Sequence, residues 1–600
     1  MAKELVKRCD IDQKYKWAIQ DIYKDDEQWQ QEYDEVKTRM NELMSFQGKL
    51  LLNAENLYDY LCLFEHVCVL YERVVIYANQ RYHEDTTNAF YQNLTGLSNN
   101  LEMEFDKATS FAVPEILEKS SEVIHQFMLE KPELKKYENY LNNILRNKDH
   151  ILSKEEEELI ASAGEVMSSA SNIFSMFNNA DIKFPTITDE NGEQVQITQG
   201  RYGTFLESKD RSVRKAAFEG LYKTYDQHKN TLAATYNANM KSWIFESKAR
   251  HYASNMEMAL HDTNVPVDVY TNLIDVVNEN MDLMHRYVSL RKKLLGVDEL
   301  HMYDLYVSMV SDVDMKISFD EAKKTVFDAL EPLGEDYRAI IKEGFESGWI
   351  DVYENEGKRT GAYSWGPYGT HPYVLLNYQE NLDNMFTLIH EMGHAMHSYY
   401  SDHALPYLDA GYKIFVAEVA STCNEALLME YLLKKTTNRH EKAYLINHFL
   451  DQFKGTLYRQ TMFAEFEMIT HARAEEGEYL TAEELSKIYL ELNQKYYGSD
   501  VVSDEQIALE WSRIPHFYTP FYVYQYATGY SAAIALSRRI LNEGSSAVED
   551  YKKFLQGGCS KDPISLLKIA GVDMSSKEPI QQALDLFAKL LDEMEALLCK

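Results

Sequence analysis

The run His390-Glu391-Met392-Gly393-His394 constrains this chain more tightly than any other stretch of it. Residues four apart in an α-helix stand one above the other, so both imidazoles reach a single metal ion if the segment is helical. Glu391 then projects beside them, within reach of a proton on a water held at that ion. Met385, Leu388, Ile389, Met392 and Met396 supply an apolar face that buries such a helix. A match of this length arises by chance in about one chain in twenty of this size, so the surrounding residues must carry weight.

A catalytic zinc site takes three protein ligands and leaves one position open. The form HExxHxxGxxH would need Gly at 397 and His at 400, and those positions hold His397 and Tyr400, so that class is excluded. A glutamate on a second helix is the alternative. Glu418 lies 24 residues past His394 in the helix-compatible run Phe415 to Glu425, and the segment Asp402 to Gly411 can turn the chain back into an antiparallel helix pair. Ser421, Thr422 and Glu425 share the Glu418 face, where polar groups orient ligand imidazoles. His397 falls off the ligand face and reads as a packing or substrate-side histidine.

Elsewhere the pattern is helical. Glycine and proline are scarce, at 25 and 12 in 600 residues, which disfavours a turn-rich all-β fold. At this length more than one structural unit is expected. Amphipathic helices are predicted through the first ~180 residues, including Asp25 to Met44 and Leu57 to Gln80; Glu155 to Glu158 suits a solvated first turn. Alternation across Phe184 to Thr198 around Asn191-Gly192 predicts a β-hairpin. Helical periodicity then runs from Ser208 to about Lys342. The segment Gly344 to Tyr378 interrupts it, with Tyr353 and Tyr373 to Tyr378 as candidate strands, and helix resumes from Leu382. This divides the chain into an N-terminal helical region, 1–200, ending in the hairpin, and a region 201–600 carrying the metal motif.

A net charge of −34 repels nucleic-acid phosphate, and the sequence offers no basic helix for an anionic membrane. No stretch of ~18 apolar residues occurs. The N-terminus from Met1 to Arg8 has no apolar h-region, and the six cysteines are scattered as free thiols would be. A cytoplasmic protein is expected, with no nucleic-acid or membrane partner and an oligomeric state left open.

The sequence resembles the oligoendopeptidase F group of the thimet-type metallopeptidases. Glu418-Val419-Ala420-Ser421 matches that group's Glu-x-x-Ser ligand helix. Gly361-Ala362-Tyr363 and Pro372 to Tyr378 are similar to its segment before the zinc helix, Tyr15-Lys16-Trp17 through Ile22-Tyr23 to its opening, and Asp210-Arg211 with Val213 to Ala216 to its central helix. The resemblance implies a mainly α, zincin-like fold: a multi-helix body with a deep substrate channel and a small β-sheet near the metal. It implies one Zn²⁺ per chain on His390, His394 and Glu418, and cleavage of internal bonds in short unfolded peptides by a zinc-bound water activated by Glu391. The resemblance also implies that His516, which matches a histidine of that group, faces the zinc. Tyr522 and Tyr526 match two tyrosines of the same segment, with Tyr524 and Tyr530 as competing assignments because the spacing shifts by one residue. The strand Tyr373 to Tyr378 is expected to offer an edge to the substrate backbone. Two other readings stay open: an inactive zinc-containing peptide-binding scaffold, and an exopeptidase that releases dipeptides.

Overall fold

Side-chain caps and apolar stripes set the helices where the periodicity predicts them. In the computed structural model, which describes residues 5–311, 313 and 315–599, Asp25 caps α1 (Asp26–Met44) by accepting the Gln28 N–H. Asn53 does the same for α2 (Ala54–Glu84) and Asn88 for α3 (Ala89–Thr109). Trp29, Tyr33, Val36, Met40 and Leu43 form one buried stripe on α1. The Trp29 indole N–H donates to the Val74 carbonyl on α2 at 2.9 Å, so the ring is buried without an orphaned donor. Further along, Ser153 and Glu156 make a reciprocal capping box, which puts Glu155 to Glu157 in a solvated first turn. Met1 to Glu4 of the N-terminal stretch lie outside the described residues.

Two compact units divide the chain, and each draws on three separate stretches. The first comprises Met1–Asp149, Asp314–Leu428 and Leu536–Gly571; the second comprises His150–Val313, Met429–Ala535 and Val572–Lys600. Both are mainly helical. No helix among the described residues is long and apolar enough to cross a membrane.

The hairpin of the second unit is present. β1 (Thr186–Thr188) pairs antiparallel with β2 (Gln194–Gln196), Ile187 opposite Val195. Gly192 takes φ +80°, and the Asp189 carboxylate accepts the N–H groups of Asn191 and Glu193. The expected helical run to Lys342 is broken earlier. After the helix Met281–Leu295, Gly296 enters the left-handed region and ends it, and among the described residues no α-helix resumes before Phe319. Met302, Leu305, Val307, Met309 and Val310 are buried there at spacings that imitate a helix. Side chains from elsewhere pin the segment: Arg211 and Arg214 bond Asp304, and Arg291 donates to the Asp304 and Val307 carbonyls. Within it β3 (Leu300–His301) pairs in parallel with β7 (Val501–Val502), a pairing that no local pattern announces.

The first unit holds a three-stranded sheet in the order β4 (Ile350–Asp351), β6 (Val374–Leu375), β5 (Tyr363–Ser364). Two expectations are corrected. Tyr353 lies in the bend just past β4 and packs edge-on against Tyr15 at 4.9 Å. The Tyr373 to Tyr378 segment is no edge: β6 is the central strand, parallel to β4 and antiparallel to β5. Its buried run of apolar residues is what a doubly paired strand requires. Beneath the sheet Arg8 bridges Glu84 and Asp351 at 2.5 and 2.6 Å, and Lys358 bonds Asp351 at 2.7 Å.

Candidate metal centre

The motif lies on α4 (Leu382–Ala404), capped by Asn381, whose side chain accepts the Asn384 N–H at 2.9 Å. Met385, Leu388, Ile389, Met392 and Met396 are all buried, as the stripe predicts. The turn is shorter than expected, since α4 persists to Ala404 and Tyr407–Ala410 forms a helical turn. Ser401 donates to the Ala410 carbonyl at 2.5 Å and closes it. The chain then returns as α5 (Ile414–Lys435). His394 lies beside Glu418, and His390 beside both Glu418 and Glu425, so the two helices run antiparallel.

Gly393 sets how closely they approach. A Cβ there would sit 2.5 Å from the Ser421 Cα and 2.9 Å from the Ala420 carbonyl oxygen. With hydrogen in that place, the donor atoms form a nearly equilateral triangle. His390 Nε2 lies 3.1 Å from Glu418 Oε2, His394 Nε2 lies 3.2 Å from the same oxygen, and the two nitrogens are 3.2 Å apart. Tetrahedral zinc with ligands at about 2.0–2.1 Å separates its ligand atoms by about 3.3 Å, so size and donor set both fit that ion.

The surrounding groups prepare the donors. Glu425 Oε1 sits 2.5 Å from His390 Nδ1. A carboxylate there holds the proton on Nδ1 and leaves Nε2 its lone pair for the metal. Ser421 donates to Glu418 Oε2 at 3.1 Å and restrains that carboxylate. Burial pulls the His390 pKa down, but Glu418 and Glu425 outweigh it and raise it to about 10, so a metal ion binds Nε2 by displacing the proton there while Glu425 keeps the one on Nδ1. Burial pushes Glu418 up, yet the two imidazoles keep it well below the usual carboxylate range. Glu391 is buried beside the triangle, and burial raises its carboxyl against the pull of His390 and His394. A base with a raised pKa is suited to exchanging protons near neutral pH. His397 is a packing residue, stacked 3.9 Å from Tyr412 and held neutral by burial, its pKa lowered to about 3.

The remaining candidates fall in the second unit and lie together. His516 stacks near Tyr522 with ring centroids 6.0 Å apart, and the Tyr526 hydroxyl is 3.3 Å from His516 Nε2. Tyr522 and Tyr526 are half-buried, whereas Tyr524 and Tyr530 are core residues against Tyr270 and Phe453. Burial and the Arg459 charge lower the His516 pKa.

The sequence profile described as "Peptidase family M3" matches residues 204–586, and the one described as "Oligopeptidase F" matches 115–184. This chain belongs to peptidase family M3. Oligopeptidase PepF of Bacillus subtilis (strain 168) is 49% identical over 100% of this chain and 89% of its own. A crystal structure from Chlamydophila abortus superposes with a TM-score of 0.94 at 36% identity, covering 99% of this chain and 100% of that one. Oligoendopeptidase-F from Enterococcus faecium gives 0.74 at 40%, covering 95% and 99%. As an M3 member the protein is a metallopeptidase of mainly α fold. The part played by Gly393 in this M3 site is what the sequence reading missed. Its one signal is a glycine in mid-helix, where alanine would be about 1 kcal/mol better in isolation.

Proposed function

We propose that the chain is a zinc-dependent oligoendopeptidase that hydrolyses internal bonds of short unfolded peptides, with one Zn²⁺ on His390, His394 and Glu418. The observation that carries this reading is the triangle of donor atoms, 3.1–3.2 Å on each side, with buried Glu391 beside it. The names of the relatives point to oligopeptide substrates, and the match over 204–586 supports a catalytic region from about 201 to 600 that follows an N-terminal region, 1–200. A cytoplasmic location belongs to the same reading and is supported by six cysteines carried as free thiols.

A Zn²⁺ ion on these ligands would supply Lewis acidity towards a water and towards the scissile carbonyl. Glu391 would take the proton of the attacking water and pass it to the leaving amine nitrogen as the C–N bond breaks. Glu425 would keep the His390 proton on Nδ1 throughout. His516, Tyr522 and Tyr526 are the proposed donors to the carbonyl oxygen as it gains charge. Losing one such donor typically costs 10²–10³-fold in kcat, so Tyr522→Phe and Tyr526→Phe rank the two hydroxyls.

The test is hydrolysis of an internally quenched, end-blocked peptide of about ten residues, with bound metal quantified. Wild type, Glu391→Gln and chelator-treated wild type are compared. Turnover in untreated wild type alone, with metal retained in Glu391→Gln, is the expected result. Equal turnover in all three samples would end the metal mechanism, and stoichiometric metal with no turnover of any peptide would favour the scaffold reading.

A further inference from the structure

Beside the outer strand β5, in the unit that carries the triangle, a cavity of about 370 Å³ is lined by His83, Arg359, Thr360, Tyr363, Ser364 and Trp365, among others. β5 packs against α4, the helix of His390 and His394. In a chain with 95 acidic and 61 basic side chains, arginines usually find a carboxylate. Arg8 and Arg81 do so close by, both on Glu84. Arg359 makes no ion pair among the described residues. Its side chain meets the ring of a histidine instead: Nη1 lies 2.7 Å from His83 Nε2.

A guanidinium has donors and no acceptor, so His83 Nε2 must accept and the ring's proton must sit on Nδ1, which lies 2.7 Å from the Tyr363 hydroxyl. The ring cannot take a second proton without losing that bond. Burial, reinforced by the Arg359 charge, accordingly lowers the His83 pKa to about 4. His83 is therefore a neutral prop. A second bond, from the Arg359 backbone N–H to the His83 carbonyl at 3.0 Å, fixes the base of the same residue. Asn377 donates to the Arg359 and Gly361 carbonyls at 3.0 and 2.9 Å and holds the chain on the other side. Glu84 and Asp351, which act with Arg359 on the neighbouring Tyr363, are engaged already, Glu84 by Arg8 and Arg81, and Asp351 by Arg8 and Lys358. The charge on Arg359 is thus positioned but not neutralised, with its residue exposed at a cavity that also offers the hydroxyls of Thr360 and Ser364.

We infer that Arg359, held by His83, is a specificity-determining site for a carboxylate of the peptide substrate. This deepens the oligoendopeptidase reading and rests on it. An arginine fork is matched to carboxylate geometry, and here the ordering cost of the side chain is met by the fold before the ligand arrives. The carboxylate has two sources, an acidic side chain or the peptide's own C-terminus.

Four versions of one quenched peptide, made again with the variable residue at each position in turn, separate them: an acidic residue or its amide, each with a free or an amidated C-terminus. The expected result for wild type is a preference of at least tenfold in kcat/KM for one carboxylate form. An acidic-residue preference assigns the side chain; a free-terminus preference assigns the chain end. Arg359→Gln should bring that ratio to within about twofold of unity, and Arg359→Lys should keep part of it. Arg359→Glu should reverse it in favour of a lysine-bearing peptide. Thermal melts and bound metal report whether each variant is folded and loaded. Equal rates on all four peptides in wild type, or an undiminished preference in folded Arg359→Gln, would overturn the inference and leave the oligoendopeptidase reading standing. No turnover of any peptide by metal-loaded wild type would instead overturn that reading, and the inference with it.

Discussion

Glu425 governs which nitrogen of His390 carries the proton. With the acid 2.5 Å from Nδ1, Nε2 is free to bind a metal; without it the two tautomers compete. Removing such a partner typically weakens metal binding 10–100-fold. Glu425→Gln, whose amide can still accept but brings no charge, should lie at the low end, and Glu425→Leu at the high end. Competition against a chelating dye measures both. Equal affinity in wild type and Glu425→Leu would show that the pair has no part in metal binding. At this scale the sequence is generous, because four-residue spacing on a helix is a strict geometric statement. His390, Glu391 and His394 could be read from it directly, and Glu418 followed once a second helix was admitted. His516, Tyr522 and Tyr526 could not, since a chain with 43 tyrosines makes any one of them cheap; resemblance alone singled them out.

Between elements, the decisive contact is the place where α4 meets α5. A methyl at Gly393 would fall 2.5 Å from a backbone atom of Ser421, and backbone cannot rotate aside as a side chain can. Gly393→Ala should therefore force the helices apart, at about 1–3 kcal/mol of stability, and spread the donor triangle. Gly96, inside α3, meets nothing within 4 Å; Gly96→Ala should stabilise by about 0.4–1 kcal/mol. Melting temperature and metal stoichiometry, measured on both, distinguish close approach from a general intolerance of alanine in mid-helix. Full metal occupancy with unchanged melting in Gly393→Ala would contradict the packing argument. Element identity was legible where caps and stripes coincide, as in α1. It failed for residues 296–311, where burial imposed by Arg211, Arg214 and Arg291 gave irregular chain a helix-like spacing. For Tyr373 to Tyr378 the strand was legible but its central place was not, because two-sided pairing is a property of partners far along the chain.

Across the whole molecule, two interleaved units assembled from three stretches each leave no trace in local sequence, since chain order says nothing about which distant helices share a core. What the sequence does reveal at this scale is 18 histidines, and the fold decides their effect on stability. Three are buried as neutral rings: burial lowers His83 to about 4 and His397 and His471 to about 3. Unfolded, each titrates near 6.5 and takes up a proton that the native state refuses. Their contribution is present above that pH and is lost as pH falls towards 4 and 3. By linkage each costs about 2 kcal/mol at pH 5 relative to pH 8, or about 6 kcal/mol together, against a total stability of about 5–15 kcal/mol. His471 isolates the effect, because it lies in the second unit, which carries none of the three metal ligands, and accepts from Asn255 Nδ2 at 3.0 Å. Gln can accept the same bond without titrating. His471→Gln should be less stable than wild type at pH 8, and the gap should close by about 2 kcal/mol at pH 5. Chemical unfolding at the two pH values, both proteins side by side, measures the change; a gap that stays constant would mean that His471 is protonated in the folded protein.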